Sequence, residues 1–175
     1  MQLRDSSVPI EGFLRSLFDS RPQRVPGTAV FLTSTPDATP HALLHSLKHY
    51  KVAHEQNVFL TVDFEDVPWI APEARIVCEP LVGNCWRVRA HYGFLERPDV
   101  AHVLELCGSH GLQVEPMDVS YFTSREKIVA VKGGPGMALW RDRMFSAMAR
   151  NAGTVTDFFN IPNNRVVELG SRVEI

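Results

Sequence analysis

Three histidines stand at four-residue steps in "HALLHSLKHYKVAHE": His41, His45 and His49, with His54 just beyond. Lys48 and Lys51 lie among them, and the stretch holds four of the chain's 7 histidines. On a helix, residues i and i+4 share a face, so His45 and His49 have the spacing of a zinc-binding pair. A closed zinc site needs a fourth ligand, and no Glu follows the first His as in HExxH, so no metal is expected. With Leu43, Leu44 and Leu47 turned inward, the histidines fall on the wet face, as a solvated or interface surface. The row also suits two other chemistries. One is anion binding, through its positive charge; the other is proton sensing, because histidine titrates near neutral pH.

A second candidate precedes it. "TSTPDATP" joins an expected strand to the N-terminus of that helix, where free N–H groups and the helix dipole favour a phosphate. Thr33, Ser34 and Thr35 add hydroxyls, and with Lys48 and His49 they form the candidate ligand-binding set. The turn lacks glycine, so its backbone cannot approach a phosphate as a P-loop does. Its plainer reading is a capped turn, with Asp37 bonding its own backbone, Thr39 as N-cap and Pro40 at the first helical position.

A third feature is the alternation in "CWRVRAHYGF". Trp86, Val88, Ala90, Tyr92 and Phe94 point one way, and Arg87, Arg89 and His91 form a basic stripe on the other side. With His45, this stripe is the candidate interface. Signals for catalysis are missing. "KGGPGM" matches neither common phosphate loop, and there is no GxSxG elbow. Cys85 has His91 nearby in sequence, but alternation is read as placing them on opposite faces. Asp63, Glu65 and Asp66 read as solvated loop carboxylates. No catalytic residue and no cofactor are expected.

The elements that must position these residues follow from periodicity. The 175 residues carry 18 Lys+Arg against 20 Asp+Glu, so a dedicated nucleic-acid surface is not expected. No apolar run approaches the ~20 residues of a membrane helix, and the N-terminus lacks a signal-peptide core, so the chain reads as soluble. Cys78, Cys85 and Cys107 have no CxxC spacing and read as small buried or half-buried side chains. Residues 1–23 are a lead-in with Phe13, Leu14, Leu17 and Phe18 at helical spacing; "DSRPQRVPG" then breaks the pattern. Residues 24–175 form one domain. A strand at 28–34 leads to a helix at 41–51, whose Leu43, Leu44, Leu47 and Tyr50 share a face. A strand at 57–66 follows. "RIVCEPL" and "CWRVRAHYGF" flank "VGN" as a hairpin. "RPDVAHVLELCGSHG" is a helix with Val100, Val103, Leu104 and Cys107 inward. A strand from 119, or two short strands around "SREK", a "GGPG" turn, and a helix with Met137, Trp140, Met144 and Met148 on one side come next, ending at Gly153. A short helical turn in "TVTDFFNIP" and a final strand at 165–175, with Gly170 as a bulge, complete the chain. The fold class is α/β: a mixed parallel and antiparallel sheet with helices packed on it, opening with a strand–helix–strand unit.

Six ordered segments carry a resemblance. They are "RVPGTAVFLTS", "ALLHSLKHYKVAHEQNVFLTV", "YGFLERPDV", "SYFTSRE", "PGMALWRDRMFSAMARNA" and "IPNNRVVELGSRVEI". Together they resemble the C-terminal cytoplasmic domain of the KUP family of bacterial potassium uptake transporters. The usual family form of one segment is "HNLKHNKVLHE", and this chain differs there at Ser46, Tyr50 and Ala53. The resemblance implies a membrane portion ahead of this domain that takes up potassium with protons. It implies that the lead-in joins the two, and that the domain faces the cytoplasm at the inner membrane as a regulatory or assembly module. Its own transmembrane domain and a second copy are the implied protein partners. Some members respond to cyclic di-AMP, which adds a nucleotide as candidate ligand.

Overall fold

The computed structural model describes residues 8–125 and 155–170. Six strands form one sheet in the order β3-β4-β2-β1-β5-β6. Helix α1 (Ile10–Asp19) precedes β1 (Gln23–Leu32), and α2 (His41–Tyr50) leads into β2 (Val52–Glu65). The hairpin is β3 (Ile76–Leu81) and β4 (Cys85–Gly93); then come α3 (Val100–Cys107) and β5 (Val119–Arg125). The one-turn helix α4 (Val155–Phe158) and β6 (Val166–Gly170) close the described chain. Among the described strands, β3 and β4 alone pair antiparallel, and β4, β2, β1, β5 and β6 run parallel to one another. The expected mixed sheet and its strand–helix–strand opening are present, with α1 ahead of them.

A central parallel strand must be apolar on both sides, because helices cover both faces. β2 meets this demand with Val58 and Leu60 on one face and Phe59 on the other. The first face packs under α3 through Val100, Val103, Leu104 and Cys107. The second packs under α1 and α2 through Ile10, Leu14, Ala42 and Leu43. There Phe59, Phe31 and Phe122 stand in register on β2, β1 and β5, with ring centroids 5.7 and 4.9 Å apart. At the β3–β4 turn, Gly83 and Asn84 both take positive φ, the conformation a tight hairpin needs.

Several expectations shift. β1 starts at Gln23, not residue 28, because the Pro26–Gly27 break is a register irregularity inside the strand. β2 starts at Val52, since its polar first half pairs with the early part of β1. Pro40, not Thr39, is the N-cap of α2: the Thr39 hydroxyl donates instead to the Val8 carbonyl at 2.8 Å, recruited by the incoming chain. Tyr50 is exposed at the end of α2, and Phe94 is exposed beyond the end of β4. The "GGPG" turn, the Met137–Trp140–Met144–Met148 helix with its cap Gly153, and the end of the final strand lie outside the described residues.

One polar knot fixes the loops after β2 and β4. The Glu96 carboxylate accepts from the Gly93 N–H at 2.6 Å, the Ile70 N–H at 3.1 Å and both Arg75 guanidinium ends. Arg75 also donates to the His91 carbonyl and lies 4.5 Å over the Tyr92 ring. A Cβ at Gly93 would fall on the Pro68 carbonyl, so glycine is required by close approach. The Arg75 hydrogen bonds, against some opposing burial, hold Glu96 at about 2, below the ordinary 4.5. Its folded-state value is depressed, so its stabilisation is complete above pH 4.5 and lost as pH falls towards about 2. Glu96→Gln should cost about 2–4 kcal/mol at neutral pH. Urea unfolding across pH should show the variant losing this acid-limb slope.

Candidate functional site

β1 sits at the point where the sheet reverses its winding. Its own connection leaves over the α2 face to β2, while β5 arrives on its other side by way of α3. In open α/β sheets, crevices for ligands form outside the strand carboxyl ends at such a point. The Thr33–Thr35 turn lies there. The Thr33 N–H donates to the Leu60 carbonyl at 2.9 Å. The Thr33 hydroxyl donates to the Thr35 carbonyl and accepts from the Thr35 N–H, both at 3.2 Å, so it serves its own turn. Ser34 and Thr35 are exposed. Asp37 does not bond its own backbone as its plain reading had it; its carboxylate stands 3.6 Å from Arg87.

A cleft of about 180 Å³ opens beside α2, lined by His41, Ala42, Leu44, His45, Lys48, Ser124 and Leu169. It contains Lys48 from the candidate ligand set and His45 from the candidate interface set. Thr33, Ser34, Thr35 and His49 are not among its lining. The His49 ring packs on that of His45 instead, centroids 4.5 Å apart. His54 lies half-buried on β2, where burial lowers its pKa while the charge of Asp118 acts in the opposite direction. Two polar lining residues, His41 and Ser124, lie outside the candidate sets. His41 was visible as the first of the i, i+4 row, but Ser124 comes from β5, and no local signal joins it to α2. The cleft is smaller than the ~300 Å³ at which sites for drug-sized ligands begin, so it suits a phosphate-sized group or one end of a larger anion. Among the described residues, no three His, Cys, Asp or Glu side chains cluster closely enough for a metal.

The basic stripe lies on the α1/α2 face, and each member meets a carboxylate. Arg87 reaches Glu11 of α1 at 3.0 Å, Glu79 of β3 at 3.1 Å and Asp37 at 3.6 Å. Its side chain is only 14% exposed. Arg89 donates twice to Asp63, at 2.8 and 3.0 Å, and His91 Nδ1 is 2.9 Å from Glu65. Asp63 is therefore an ion-pair partner of Arg89, and Glu65 a hydrogen-bond partner of His91, rather than free loop carboxylates. A second cleft of about 180 Å³ beside Arg87 and Arg89 is bordered by Asp37 and Glu79, so its charges balance.

The reading of Cys85 and His91 needs correction. They are six residues apart on β4, an even step, so they share a face; Cys85 packs in the same core as α1. Six strand residues still separate them by roughly 20 Å, too far for a nucleophile–base pair. Burial pushes the Cys85 and Cys107 thiols up to about 12, so neither forms a nucleophilic thiolate at neutral pH. Cys78 is half-buried, and burial raises its pKa too.

The profile of the family described as "K+ potassium transporter C-terminal domain" matches residues 26–175. A probable potassium transport system protein Kup of Nitrosospira multiformis is 51% identical over 173 residues. A probable Kup 2 of Cupriavidus necator is 52% identical over 176 residues, and one of Chromobacterium violaceum is 49% identical over 174. In each case 99% of this chain is covered, but only 27–28% of the relative. No solved structure matches. Among the described residues, no helix is long and apolar enough to cross a membrane.

Arg87 ties three elements to β4. Arg87→Met should lower stability by about 1–2 kcal/mol, because its three partners are themselves largely exposed and screened. Hydrogen exchange should speed up in the first turn of α1 and at Ala38–Thr39 before it does in β4. Unchanged protection there would show that the charge cluster does not hold α1.

Proposed function

Because the chain belongs to the family of potassium transporter C-terminal domains, we propose that it is the cytoplasmic regulatory and assembly domain of a potassium uptake membrane transporter, one coupling potassium to protons. The observation that carries this reading is the family match over residues 26–175, among relatives whose names say potassium transport. Ion permeation belongs to the part of the relatives that this chain does not span. The engagement of Arg87, Arg89 and His91 by carboxylates of this same chain supports a structural and assembly role over an enzymatic one. The lead-in, residues 1–23, is the connection to the membrane portion, and residues 24–175 are the domain.

A second reading rests on the cleft beside α2. Lys48 supplies positive charge, His41 and His45 ring nitrogens and Ser124 a hydroxyl, with no carboxylate among the described lining residues. This set suits an anionic group such as the phosphate of an adenine nucleotide or cyclic dinucleotide, held so as to control transport. Its site differs from the Thr33–Thr35 set by drawing on β5.

Two measurements separate the readings. Removing residues 24–175 from a full-length transporter should alter its potassium uptake rate or the pH dependence of that rate; identical kinetics would remove the regulatory role. For the ligand reading, adenine nucleotides or cyclic dinucleotides at 100 times their dissociation constant should stabilise the domain by about 2.7 kcal/mol, seen as a raised melting temperature. Lys48→Ala should abolish that rise. No rise at millimolar nucleotide would eliminate the sensor.

The histidine row adds a pH arm. Replacing His45 and His49 together by Gln in the full-length transporter should flatten the pH profile of uptake between about pH 5 and 8, where histidine titrates. An unchanged profile leaves the row as surface only.

A further inference from the structure

The loops after β2 and β4 present large apolar side chains to water. Trp69 is 66% exposed, Leu95 59%, Phe94 47% and Val67 41%. Apolar residues scattered singly on a surface need no explanation, but a group of this kind marks an interaction site. These loops are not loose. The Phe94 N–H donates to the Val67 carbonyl at 2.9 Å and the Leu95 N–H to the Pro68 carbonyl at 3.2 Å. The Arg75–Glu96 knot fastens both loops, through Ile70 on one and Gly93 on the other. The side chains are thus held out by a fixed platform, which lowers the entropy cost of binding.

The position of the platform says what meets it. β1, β2 and β4 are parallel, so the loops that follow them gather at one end of the sheet. The chain enters at that same end. Thr39 N–H donates to the Val8 carbonyl at 2.8 Å, and Ile10 N–H to the Asp37 carbonyl at 3.0 Å, both in the loop after β1. α1 then runs away from it, bringing Phe18 beside Gly83 in the β3–β4 turn at the far end. The family is one of C-terminal domains, so the remainder of the relatives' length precedes this entry point.

Charge narrows the partner. Asp66 and Glu73 are exposed around these loops, with Arg97 the exposed base beside them. A carboxylate rim repels an anionic lipid surface. In a symmetric pairing of two copies it would face another carboxylate rim. It complements the cytoplasmic loops of a membrane protein, which carry an excess of Lys and Arg.

We infer that Val67, Trp69, Phe94 and Leu95 form the surface on which this domain docks against the basic cytoplasmic loops of the membrane portion preceding it in the full-length protein. The inference rests on the transporter reading above and adds to it a partner and a place. Trp69 is the anchor, because large aromatic side chains dominate the energetics of such contacts.

The test uses the full-length transporter in native membranes. A benzophenone amino acid replaces Trp69, Leu95 or, as control, Met117, which is 73% exposed just before β5 at the opposite end of the sheet. Illumination at positions 69 and 95 should give adducts with peptides from the cytoplasmic loops of the membrane portion, and position 117 should give none. Adducts only with lipid, only with the same patch of a second copy, or equally from all three positions would overturn the docking. The double variant Trp69→Ser/Leu95→Ser, with the benzophenone moved to Phe94, should lose the loop adducts while the domain keeps its melting temperature. Persistence of the adducts would also overturn it. Potassium uptake is recorded on the same membranes. Loop adducts without potassium uptake would leave the docking standing and remove the transporter reading; uptake without adducts would remove the docking alone.

Discussion

Parallel pairing is the constraint from which the rest of this structure follows. Two parallel neighbours cannot be joined by a tight turn, so each such connection must cross a face of the sheet. Both faces are then covered, and the central strands must be apolar on both sides. Val58, Phe59 and Leu60 are the local answer to that demand. The same constraint sorts the loops. Those after β1, β2 and β4 collect at one end, which is why the entry of the chain, the Thr33–Thr35 turn and the Trp69 platform share it. The lone antiparallel hairpin gives the sheet an edge at β3, where Pro80 removes one donor and so weakens it as a template for further pairing.

The charges are organised by the same geometry. On parallel β2 and β4, Asp63 stands opposite His91 and Glu65 opposite Gly93, and the contacts run diagonally on the shared face: Asp63 pairs with Arg89 and Glu65 meets His91. Arg87, closest to α1, takes its partners from three other elements. Positive charge on this face is therefore spent within the molecule. On α2, Lys48, His41 and His45 line a cleft that has no acid among its described lining residues. An anion has more to gain there than at the arginine stripe, although the stripe is the more conspicuous feature in the sequence.

Strong periodicity made most elements legible. The i, i+3, i+4, i+7 pattern of Val100, Val103, Leu104 and Cys107 identified α3 and its buried face completely. The alternation of β4 gave its two faces, though a six-residue step was mistaken for a change of side at Cys85 and His91. The polar half of β2, "VAHEQ", was missed because its pairing is fixed by β1 and not by its own composition. Thr39 looked like a cap because capping is local, while the Val8 carbonyl that claimed its hydroxyl is 31 residues away. The candidate site was legible only in part. His45 and Lys48 follow from helical spacing and Glu79 from the hairpin that sets it opposite Arg87, whereas Ser124 and Glu11 are brought in by long-range packing. Trp69 sat in "VPWIAP", whose prolines announce a loop but not that the loop is pinned by Glu96.

The lead-in helix is part of the fold it introduces. A tether of water-soluble coil would pass little strain between the parts it joins. Here the lead-in helix α1 is built into the core: Ile10 and Leu14 are buried among Phe31, Phe59, Leu43 and Cys85. Glu11, one residue into the helix, holds Arg87 on β4, and Phe18 at its end stacks under Arg24. Displacing α1 would strip apolar surface from the sheet and break an ion pair in the same movement, so a small tilt is resisted along its whole length. Packed interiors respond to such loads by moving as bodies, not by bending. α1, α2 and the strands beneath them share one packed face.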